Sequence, residues 1–246
     1  MTAPTVALSI VSHGHGPMLP ALLDDVRSLW QAQGKTGIEL LLTFNLADED
    51  RRWLEAYRDL PLSVHVNPRP RGFASNQNAA FARSHSDQFA IVNPDIRMPE
   101  LALTRLQERL TAHEVGAVAP RVVDSQGRLQ DSARSFPTIV TLLRRVVTGR
   151  REPEFSDSPA ARGVDWVAGM FVLFRRDAWE SVQGFDSRFF MYFEDVDLCR
   201  RLRRRGWKII YDGSVTVQHD AQRASHRDLR HLRWHLRSAL RYFTGW

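Results

Sequence analysis

The first third of the chain alternates between short apolar runs and a helical pattern. Residues 6–11 and Ile38–Phe44 are apolar runs that each lead into a polar loop, which predicts two buried strands. Between them, apolar residues recur at helical spacing over 19–30. A strand, a helix and a strand at this spacing predict a βαβ unit of a parallel sheet, whose ligands lie outside the carboxyl ends of the strands.

The loops at 12–17 and 45–50 follow these two strands and form the first candidate binding site. Taken singly, each loop is explained about equally well as a polar turn in solvent. Two further strands are predicted at Leu62–Val66 and 89–92, and the second ends in the sequence Asn-Pro-Asp at 93–95. Such an aspartate is often only a turn residue. At the carboxyl end of a central parallel strand, however, it also lies where a metal ion or a nucleotide phosphate binds.

The middle of the chain carries a weaker pattern. A helix is predicted at 101–110, a strand at 115–120 and a hairpin at 122–129. Prolines and arginines interrupt the pattern from 134 to 163, where we expect a partly mobile segment with a short helix near 138–147.

The pattern becomes clear again after residue 163. Residues 164–174 predict one long buried strand, in which Gly169 indicates a bulge or the close approach of a ligand. A short helix is predicted at 176–182. Two short strands are predicted at 207–211 and 214–217, on either side of an Asp-Gly turn.

Three carboxylates follow directly after an aromatic cluster. Residues 189–193 contain four aromatic side chains, and Glu194, Asp195 and Asp197 then open a helical pattern. Acidic groups beside a large apolar cluster are costly to bury unless they have partners or a function. This stretch is therefore the leading candidate for catalysis.

The C-terminal residues predict an amphipathic helix with two stripes. At about 100° per residue, one stripe is apolar and consists of Leu229, Leu232, Leu236, Leu240 and Phe243. Four arginines form the other stripe, about a quarter turn away. The simpler interpretation is a helix packed on the domain with a solvated basic edge, and the alternative is a surface that meets anionic lipid.

Composition narrows the classes of protein. The 246 residues, 43% of them hydrophobic, can form one large or two small domains with a sizeable core. A net charge of +6 favours anionic partners, which are nucleic acid, phosphorylated small molecules or a membrane face. The single cysteine, Cys199, excludes an internal disulfide and favours a reducing compartment. With no signal-peptide pattern and no apolar run near the ~20 residues of a membrane span, we expect a soluble protein or one attached to a membrane surface.

The segment 67–82 joins a basic, proline-rich loop to the start of a helix. Ser75 is the predicted N-cap, and Arg69 and Arg71 precede it. Backbone N–H groups at a helix start, together with arginines, can receive phosphate oxygens. The alternative is a surface loop with a buried capping asparagine.

Several segments fall in an order typical of one enzyme family. They are 8–13 (LSIVSH), 71–78 (RGFASNQN), 93–95 (NPD), 167–171 (VAGMF), 184–186 (GFD) and 189–198 (FFMYFEDVDL). Together they resemble family 2 glycosyltransferases of the GT-A fold, most of all the bacterial rhamnosyltransferase-like branch, over about residues 5–220. The resemblance implies an α/β fold with a Rossmann-like mixed central sheet flanked by helices. It implies a catalytic domain at 1–220, with a nucleotide-binding half at 1–95 and an acceptor and catalytic half at 96–220, and a C-terminal basic amphipathic helix at 221–246.

The resemblance implies inverting transfer of a sugar from a nucleoside diphosphate to an acceptor hydroxyl. Asp195 matches the position of the family's catalytic base, Glu194 would orient the acceptor or an arginine, and Asp197 would be a structural acid of the first helical turn. The helix dipole favours the charged form of Asp195, whereas the aromatic wall would raise its pKa, and the sequence leaves this balance open.

Asp95 and His219 match the family's ligand positions for Mg²⁺ or Mn²⁺, which would neutralise the diphosphate. The chain departs from the commoner Asp-x-Asp form, because Asn93 stands in place of the first aspartate. One carboxylate fewer predicts weaker, substrate-dependent metal binding, with Arg69 or Arg71 sharing the charge.

The resemblance also implies a nucleotide-sugar site made of loop residues. This site consists of Ser12, His13, Asn45, Asp48, Arg71, Gly72, Asn76, Asn78, Asp95 and Gly169. The family often places an acid where this chain has Asn45, and the asparagine is compatible with uracil or thymine.

The branch resemblance favours dTDP-L-rhamnose as the donor, with a UDP-sugar as the other choice. The implied acceptor is a growing surface polysaccharide or a lipid-linked glycan, and the implied location is the cytoplasm, at the inner face of the bacterial cytoplasmic membrane. One alternative is a nucleic-acid-binding protein, but the basic residues are spread over several segments without a recognition motif, so we expect no nucleic acid partner. Another is a weakened, non-catalytic member of a polysaccharide assembly complex, against which the intact Glu194-Asp195 pair argues.

Overall fold

The computed structural model describes residues 5–141, 154–155, 158–219 and 229–245, and its first half follows the predicted βαβ pattern. Strands β1 (Val6–Ser12), β2 (Ile38–Phe44), β3 (Leu62–Val66) and β4 (Gln88–Val92) are parallel and lie in the order β3-β2-β1-β4. Helix α1 (Leu19–Ala32) buries its leucines against the sheet, and a short 3-10 helix (Arg52–Tyr57) precedes β3. The carboxyl ends of these strands therefore meet at one edge of the sheet.

The second half adds antiparallel strands to this sheet. Helix α2 (Phe73–Phe81) lies between β3 and β4 along the chain. The elements after β4 are β5 (Ile96–Arg97), α3 (Ala102–Arg109), β6 (Val115–Val123), β7 (Ala133–Arg134), β8 (Ala161–Gly163), β9 (Trp166–Val167), β10 (Phe171–Arg175), α4 (Arg176–Ser181), α5 (Glu194–Arg204), β11 (Lys208–His219) and α6 (Leu229–Thr244). The central sheet has the order β3-β2-β1-β4-β10-β6-β11-β5, with β8 paired to β11. Strand β10 is antiparallel to both of its neighbours, β4 and β6. The predicted mixed sheet flanked by helices is confirmed.

The prediction of one long strand over 164–174 is wrong. Val167 belongs to β9, which pairs with β7 in a separate two-stranded sheet, whereas Phe171 begins β10 of the central sheet. The chain turns between them, where the Met170 N–H donates to the Ala168 carbonyl over 2.8 Å. An unbroken apolar run does not reveal this turn, because both strands are buried.

The region after residue 206 was divided wrongly into two strands. It forms the single strand β11, whose register with β6 shifts between Asp212 and Thr216. The buried Asp212 carboxylate accepts hydrogen bonds from the Ser214 hydroxyl and from the Arg109 side chain, each over 2.6 Å, so the Asp-Gly pair forms a bulge and not a turn.

One local prediction is confirmed and one fails. The predicted hairpin at 122–129 forms at the end of β6, where Val123 and Leu129 form an antiparallel bridge and the Asp124 N–H donates to the Arg128 carbonyl over 2.9 Å. Helix α2 begins at Phe73 with Gly72 as its N-cap, and not at Ser75. The reason is a distant contact, since the Phe73 N–H donates to the Phe190 carbonyl over 3.0 Å.

The core lies on both faces of the sheet. Aliphatic side chains of α1 and α3 fill one face, while Trp179, Phe89, Phe174 and Phe185 pack edge to face on the other. Within the described ranges no helix is long and apolar enough to cross a membrane. The helix predicted near 138–147 begins at residue 139, and its remainder beyond 141 lies outside the described residues, as does much of the segment 134–163.

Candidate active site

The loop after β1 is fastened to the loop after β2 by an acid. The Ser12 hydroxyl donates to one carboxylate oxygen of Glu49, and the Gly14 N–H donates to the other over 3.0 Å. Sequence reasoning assigned Asp48 to this site; the Asp48 side chain is exposed, and its contact with a donor stays a prediction. Glu49 was missed although it lies in the same predicted loop, because neighbouring acids of one loop cannot be told apart by pattern.

A network of buried side-chain amides joins three strand ends to the basic loop. The Asn45 amide donates to the Arg71 carbonyl over 2.9 Å and lies 3.0 Å from His13 Nδ1, and its oxygen accepts from the Arg71 N–H over 2.8 Å. Asn67, which sequence reasoning missed, donates to the oxygens of Asn45 and Asn76 over 2.8 and 2.7 Å. The network thus brings Ser12, His13, Asn45 and the Arg71 backbone to one place, and the exposed Arg71 side chain lies beside it.

We expect Asn45→Ala to weaken donor binding and to lower stability. The substitution leaves buried donors and acceptors of Arg71 and Asn67 without partners, which costs about 1–3 kcal/mol. The donor KM should therefore rise more than kcat falls, and the melting temperature should drop. Asp50→Ala is the matched control in the same loop, because this exposed side chain pairs with Arg52 and lies outside the network. Equal donor KM values for Asn45→Ala and the wild type would refute the role of the network.

Asn78 and Gly72 have structural partners. The Asn78 amide donates to the Phe185 carbonyl over 2.7 Å and accepts from the Phe185 N–H over 2.9 Å. Gly184 precedes this contact at φ +66°, and a Cβ there would lie 2.5 Å from the Asn78 oxygen. A Cβ on Gly72 would lie 2.5 Å from the Phe190 carbonyl oxygen. These contacts fasten the aromatic loop to α2, and the assignment of both residues to the donor site stays a prediction.

Asp95 and His219 meet at the carboxyl ends of β4 and β11. An Asp95 oxygen lies 3.2 Å from His219 Nε2, and His219 pairs with Ile96 in the register of β5 and β11. Gln130, which sequence reasoning missed, lies 2.8 Å from His219 Nδ1 through its amide oxygen and donates to the His219 carbonyl over 2.6 Å. With Nδ1 held by the Gln130 amide oxygen, Nε2 is the ring nitrogen that faces Asp95, which is the orientation of a metal-binding histidine.

The electrostatics of this pair favour a negative carboxylate. Burial opposes the ionisation of Asp95, but the hydrogen bond and charge of His219 outweigh it and lower the pKa of Asp95 below its ordinary value. Burial lowers the pKa of His15, and the charges of Asp95 and Glu49 oppose this shift. His15, a further residue that sequence reasoning missed, therefore shares the field of Asp95.

This donor set fits a divalent cation held jointly with a substrate. Asp95 supplies one oxygen and His219 one nitrogen, and among the described residues no group of three or more His, Cys, Asp or Glu side chains could hold a metal ion. Mg²⁺ is commonly bound by one or two carboxylates together with substrate phosphates. The expectation of substrate-dependent binding, which follows from Asn93, stays a prediction.

Asp195 lies in the first turn of α5 against the break between β9 and β10. One carboxylate oxygen accepts from the Gly169 N–H over 3.2 Å, and the other accepts from the Val196 N–H over 2.8 Å. Burial raises the pKa of Asp195, although these backbone N–H groups act in the opposite direction. Desolvation therefore outweighs the helix start, which resolves the balance that the sequence left open and gives a carboxylate with increased basicity.

Glu194 is a second buried acid beside Asp195. Its side chain is 7% exposed, and its Oε2 is buried without a hydrogen-bond partner in the described part of the chain. Burial, and then the charge of Asp195, raise the pKa of Glu194 well above its ordinary value. The Asp197 carboxylate, by contrast, forms ion pairs with the guanidinium groups of Arg201 at 2.7 Å and Arg200 at 3.1 Å. These pairs support a structural role for Asp197.

We expect Glu194→Gln to flatten the pH dependence of stability. Because the pKa of Glu194 is higher in the folded state, the folded protein keeps a proton that the unfolded chain releases. The free energy of unfolding should therefore fall as pH rises from the ordinary glutamate pKa of about 4.3 towards the folded pKa. The variant should lose this fall, which denaturant titrations at several pH values would measure. A fall of equal size in both proteins would contradict the buried, neutral Glu194.

The aromatic residues before Glu194 divide into core and surface. Phe189 and Phe193 are buried with Val196, whereas Phe190 is 43% exposed. Tyr192 and Phe193 have φ values of +70° and +64°, which is strained for residues with side chains and typical of functional sites. The loop that precedes Asp195 therefore combines buried and exposed aromatic side chains, and its role as an acceptor wall stays a prediction.

Comparison with known proteins points to one family. The family described as "Glycosyltransferase like family 2" matches residues 21–236. The N-acetylglucosaminyl-diphospho-decaprenol L-rhamnosyltransferase of Mycobacterium tuberculosis is 32% identical over 65% of this chain, which spans 57% of that protein's length. Rhamnosyltransferase WbbL of Escherichia coli (strain K12) is 28% identical over 97% of this chain and 92% of its own length.

The fold has solved relatives as well. The mannosyltransferase PcManGT of Pyrobaculum calidifontis, in complex with GDP-Man and Mn²⁺, has a TM-score of 0.66 at 20% identity, over 98% of this chain and 65% of that one. GalNAc-T7 with UDP, GalNAc and Mn²⁺ has a TM-score of 0.69 at 14% identity, over 89% of this chain and 43% of that one.

Proposed function

Because the chain belongs to glycosyltransferase family 2 and has the GT-A fold, we propose that it is an inverting glycosyltransferase. It moves a sugar, L-rhamnose from dTDP-L-rhamnose, to a hydroxyl of a surface glycan or a lipid-linked acceptor. The observation that carries the proposal is Asp195, a carboxylate with a raised pKa that is held by two backbone N–H groups behind an aromatic wall. Neither a nucleic-acid-binding protein nor a non-catalytic assembly subunit is favoured.

In this mechanism, Asp195 removes the proton of the acceptor hydroxyl. The acceptor oxygen forms a bond to the anomeric carbon while the bond from that carbon to the diphosphate oxygen breaks. The electron pair of the broken bond leaves with the diphosphate, and the configuration at the carbon inverts. A positioned base of this kind contributes typically ~10²–10⁴-fold to the rate.

The diphosphate would be received at the other end of the site. Asp95 and His219 would hold Mg²⁺ or Mn²⁺, which when bound neutralises the charge of the leaving diphosphate. The exposed Arg71 side chain beside the amide network supplies further positive charge. The nucleoside would lie over Ser12, His13 and Asn45, which the network brings together.

The choice of donor and acceptor rests on the relatives. Two relatives carry rhamnosyltransferase names, and one of these names specifies a polyprenyl diphosphate acceptor. We propose the cytoplasm as the location, since the only cysteine, Cys199, is buried and unpaired. A lipid-linked acceptor would bring the enzyme to the inner face of the membrane.

A donor screen tests the proposal. The protein is melted with dTDP-L-rhamnose, UDP-glucose, UDP-N-acetylglucosamine or GDP-mannose, each with and without Mn²⁺. A ligand that binds only the folded state raises the melting temperature, so dTDP-L-rhamnose with Mn²⁺ should give the largest shift. Transfer to a lipid-linked acceptor is then measured with that donor. A protein that binds none of these sugars and transfers none would refute the proposed function.

A further inference from the structure

Helix α6 packs on the active site with its polar and aromatic side. The Ser238 hydroxyl donates to the Met191 carbonyl over 2.9 Å, and the Tyr192 hydroxyl lies 2.8 Å from His231 Nδ1. Tyr242 is buried beneath Arg200, whose guanidinium lies 4.1 Å from the ring centroid. We call His231, Ser238 and Tyr242 the inner face, and it holds the aromatic wall that precedes Asp195.

The opposite side of α6 is apolar and exposed. Leu236 and Leu240 are 62% and 63% exposed, and Phe243 is 36% exposed. Successive residues of a helix are rotated by about 100°, which places these three together and roughly opposite Ser238 and Tyr242. We call them the leucine face. The expectation that the leucine stripe packs on the domain is therefore wrong for Leu236, Leu240 and Phe243. The side chains of Leu229 and Leu232, which belong to the same stripe, lie outside the part of the chain that the structure describes.

Positive charge borders the leucine face. Arg233 and Arg237 are exposed, and Arg241 is half-buried on the same side. The sequence of residues 229–245 contains no aspartate or glutamate. An exposed apolar stripe with a basic border is the pattern of a helix that lies in the plane of a membrane interface. A second copy of this chain is a poor occupant of the leucine face, because its own arginines would repel the border.

We propose that the leucine face of α6 docks on an anionic phospholipid bilayer, with Arg233 and Arg237 contacting the lipid phosphates. Docking holds the inner face, and with it the aromatic wall, next to the bilayer surface. The helix is about 24 Å long at 1.5 Å per residue, so it can lie along the interface without spanning it. The benefit for a lipid-linked acceptor rests on the proposed function, whereas the docking itself does not.

Vesicle flotation of the full chain tests the docking. Vesicles of phosphatidylglycerol and phosphatidylcholine should carry the wild-type protein, and vesicles of phosphatidylcholine alone should carry much less. Leu236→Gln combined with Leu240→Gln should lower the bound-to-free ratio at least about tenfold. Arg233→Gln combined with Arg237→Gln should lower it roughly 10-fold to 30-fold and remove the preference for phosphatidylglycerol. Leu101→Gln is the matched control, since Leu101 is 54% exposed on the body of the protein, and it should bind like the wild type.

Several results would overturn the docking. One is a wild-type protein that does not bind phosphatidylglycerol vesicles, and another is a leucine variant that binds them as well as the wild type. The third is a wild-type dimer, detected by light scattering, that the leucine substitutions dissociate. Flotation needs neither donor nor acceptor, so the two proposals fail separately. A protein that floats but transfers no sugar refutes the proposed function alone. A protein that transfers sugar to an acceptor in detergent but does not float refutes the docking alone.

Discussion

Asp195→Asn is expected to reduce sugar transfer by about 10²–10⁴-fold while donor binding stays near normal. An asparagine keeps the size of the side chain and one oxygen, which can accept from either the Gly169 or the Val196 N–H group. It cannot remove the proton from the acceptor hydroxyl. The expected result is therefore a large fall in kcat with an unchanged thermal shift by the nucleotide sugar, measured on the same preparation.

Asp197→Asn is the matched control for Asp195→Asn. The same atoms change two residues further along α5, but the Asp197 carboxylate is already paired with Arg200 and Arg201. This control should lower the melting temperature and leave kcat within a few-fold of the wild type. Near-normal turnover by Asp195→Asn, or an equal loss in both variants, would show that Asp195 is not the base.

The pH profile adds an independent test of the base. Transfer requires the deprotonated form of Asp195, so kcat/KM should rise with pH through the pKa of this group. Burial raises that pKa, and the acidic limb should therefore lie above the ordinary aspartate value of about 3.9. Because the buried Glu194 is adjacent to the half-buried Asp195, the limb reports the pair and not one carboxyl alone. A limb at or below the ordinary value would contradict the buried base.

The pattern of the sequence predicts well those features that depend on neighbours along the chain. Strands β1 to β4 and helix α1 follow from apolar spacing, and their loops from polar residues at the strand ends. The break at Gly169 and the bulge at Asp212 could not be read in this way, because each depends on which strand of the sheet the chain joins next. The choice between Asp48 and Glu49 likewise depends on Ser12 and Gly14, which lie across the site.

Helix α6 shows the same limit on a larger scale. Its period and its two stripes are properties of the local sequence, and both were predicted. Which side meets the protein is decided by partners far away in sequence, since Met191 and Tyr192 offer polar groups that Ser238 and His231 can satisfy. A buried hydrogen bond left unmade is costly, so the polar side packs inwards and the leucines remain outside. The proximity of Asp95 to His219 was equally invisible to spacing and rested on family resemblance.

Asp95→Ala is expected to remove the response of the enzyme to added Mn²⁺ or Mg²⁺ and to lower kcat/KM by at least about 100-fold. Removing a residue that only supports a metal ligand typically lowers metal affinity or activity by ~10–100-fold. The loss should be larger for Asp95, because Asp95 is itself proposed as a ligand. Gln130→Ala should fall within that smaller range, because Gln130 orients His219 without reaching the metal. Asp177→Ala removes an exposed acid of α4 and should change neither property.

Binding of Mn²⁺ in the presence of dTDP separates the metal site from the reaction. Because Asp95 and His219 supply only two ligands, the wild-type protein should bind Mn²⁺ tightly only when the diphosphate is present. Asp95→Ala should lose this joint binding, which titration calorimetry or the paramagnetic signal of Mn²⁺ would detect without any transfer. Full activity of the wild type in excess chelator would refute the metal proposal. It would leave Asp95 and His219 as direct contacts of the diphosphate site, where a carboxylate beside a phosphate requires a compensating charge such as that of Arg71.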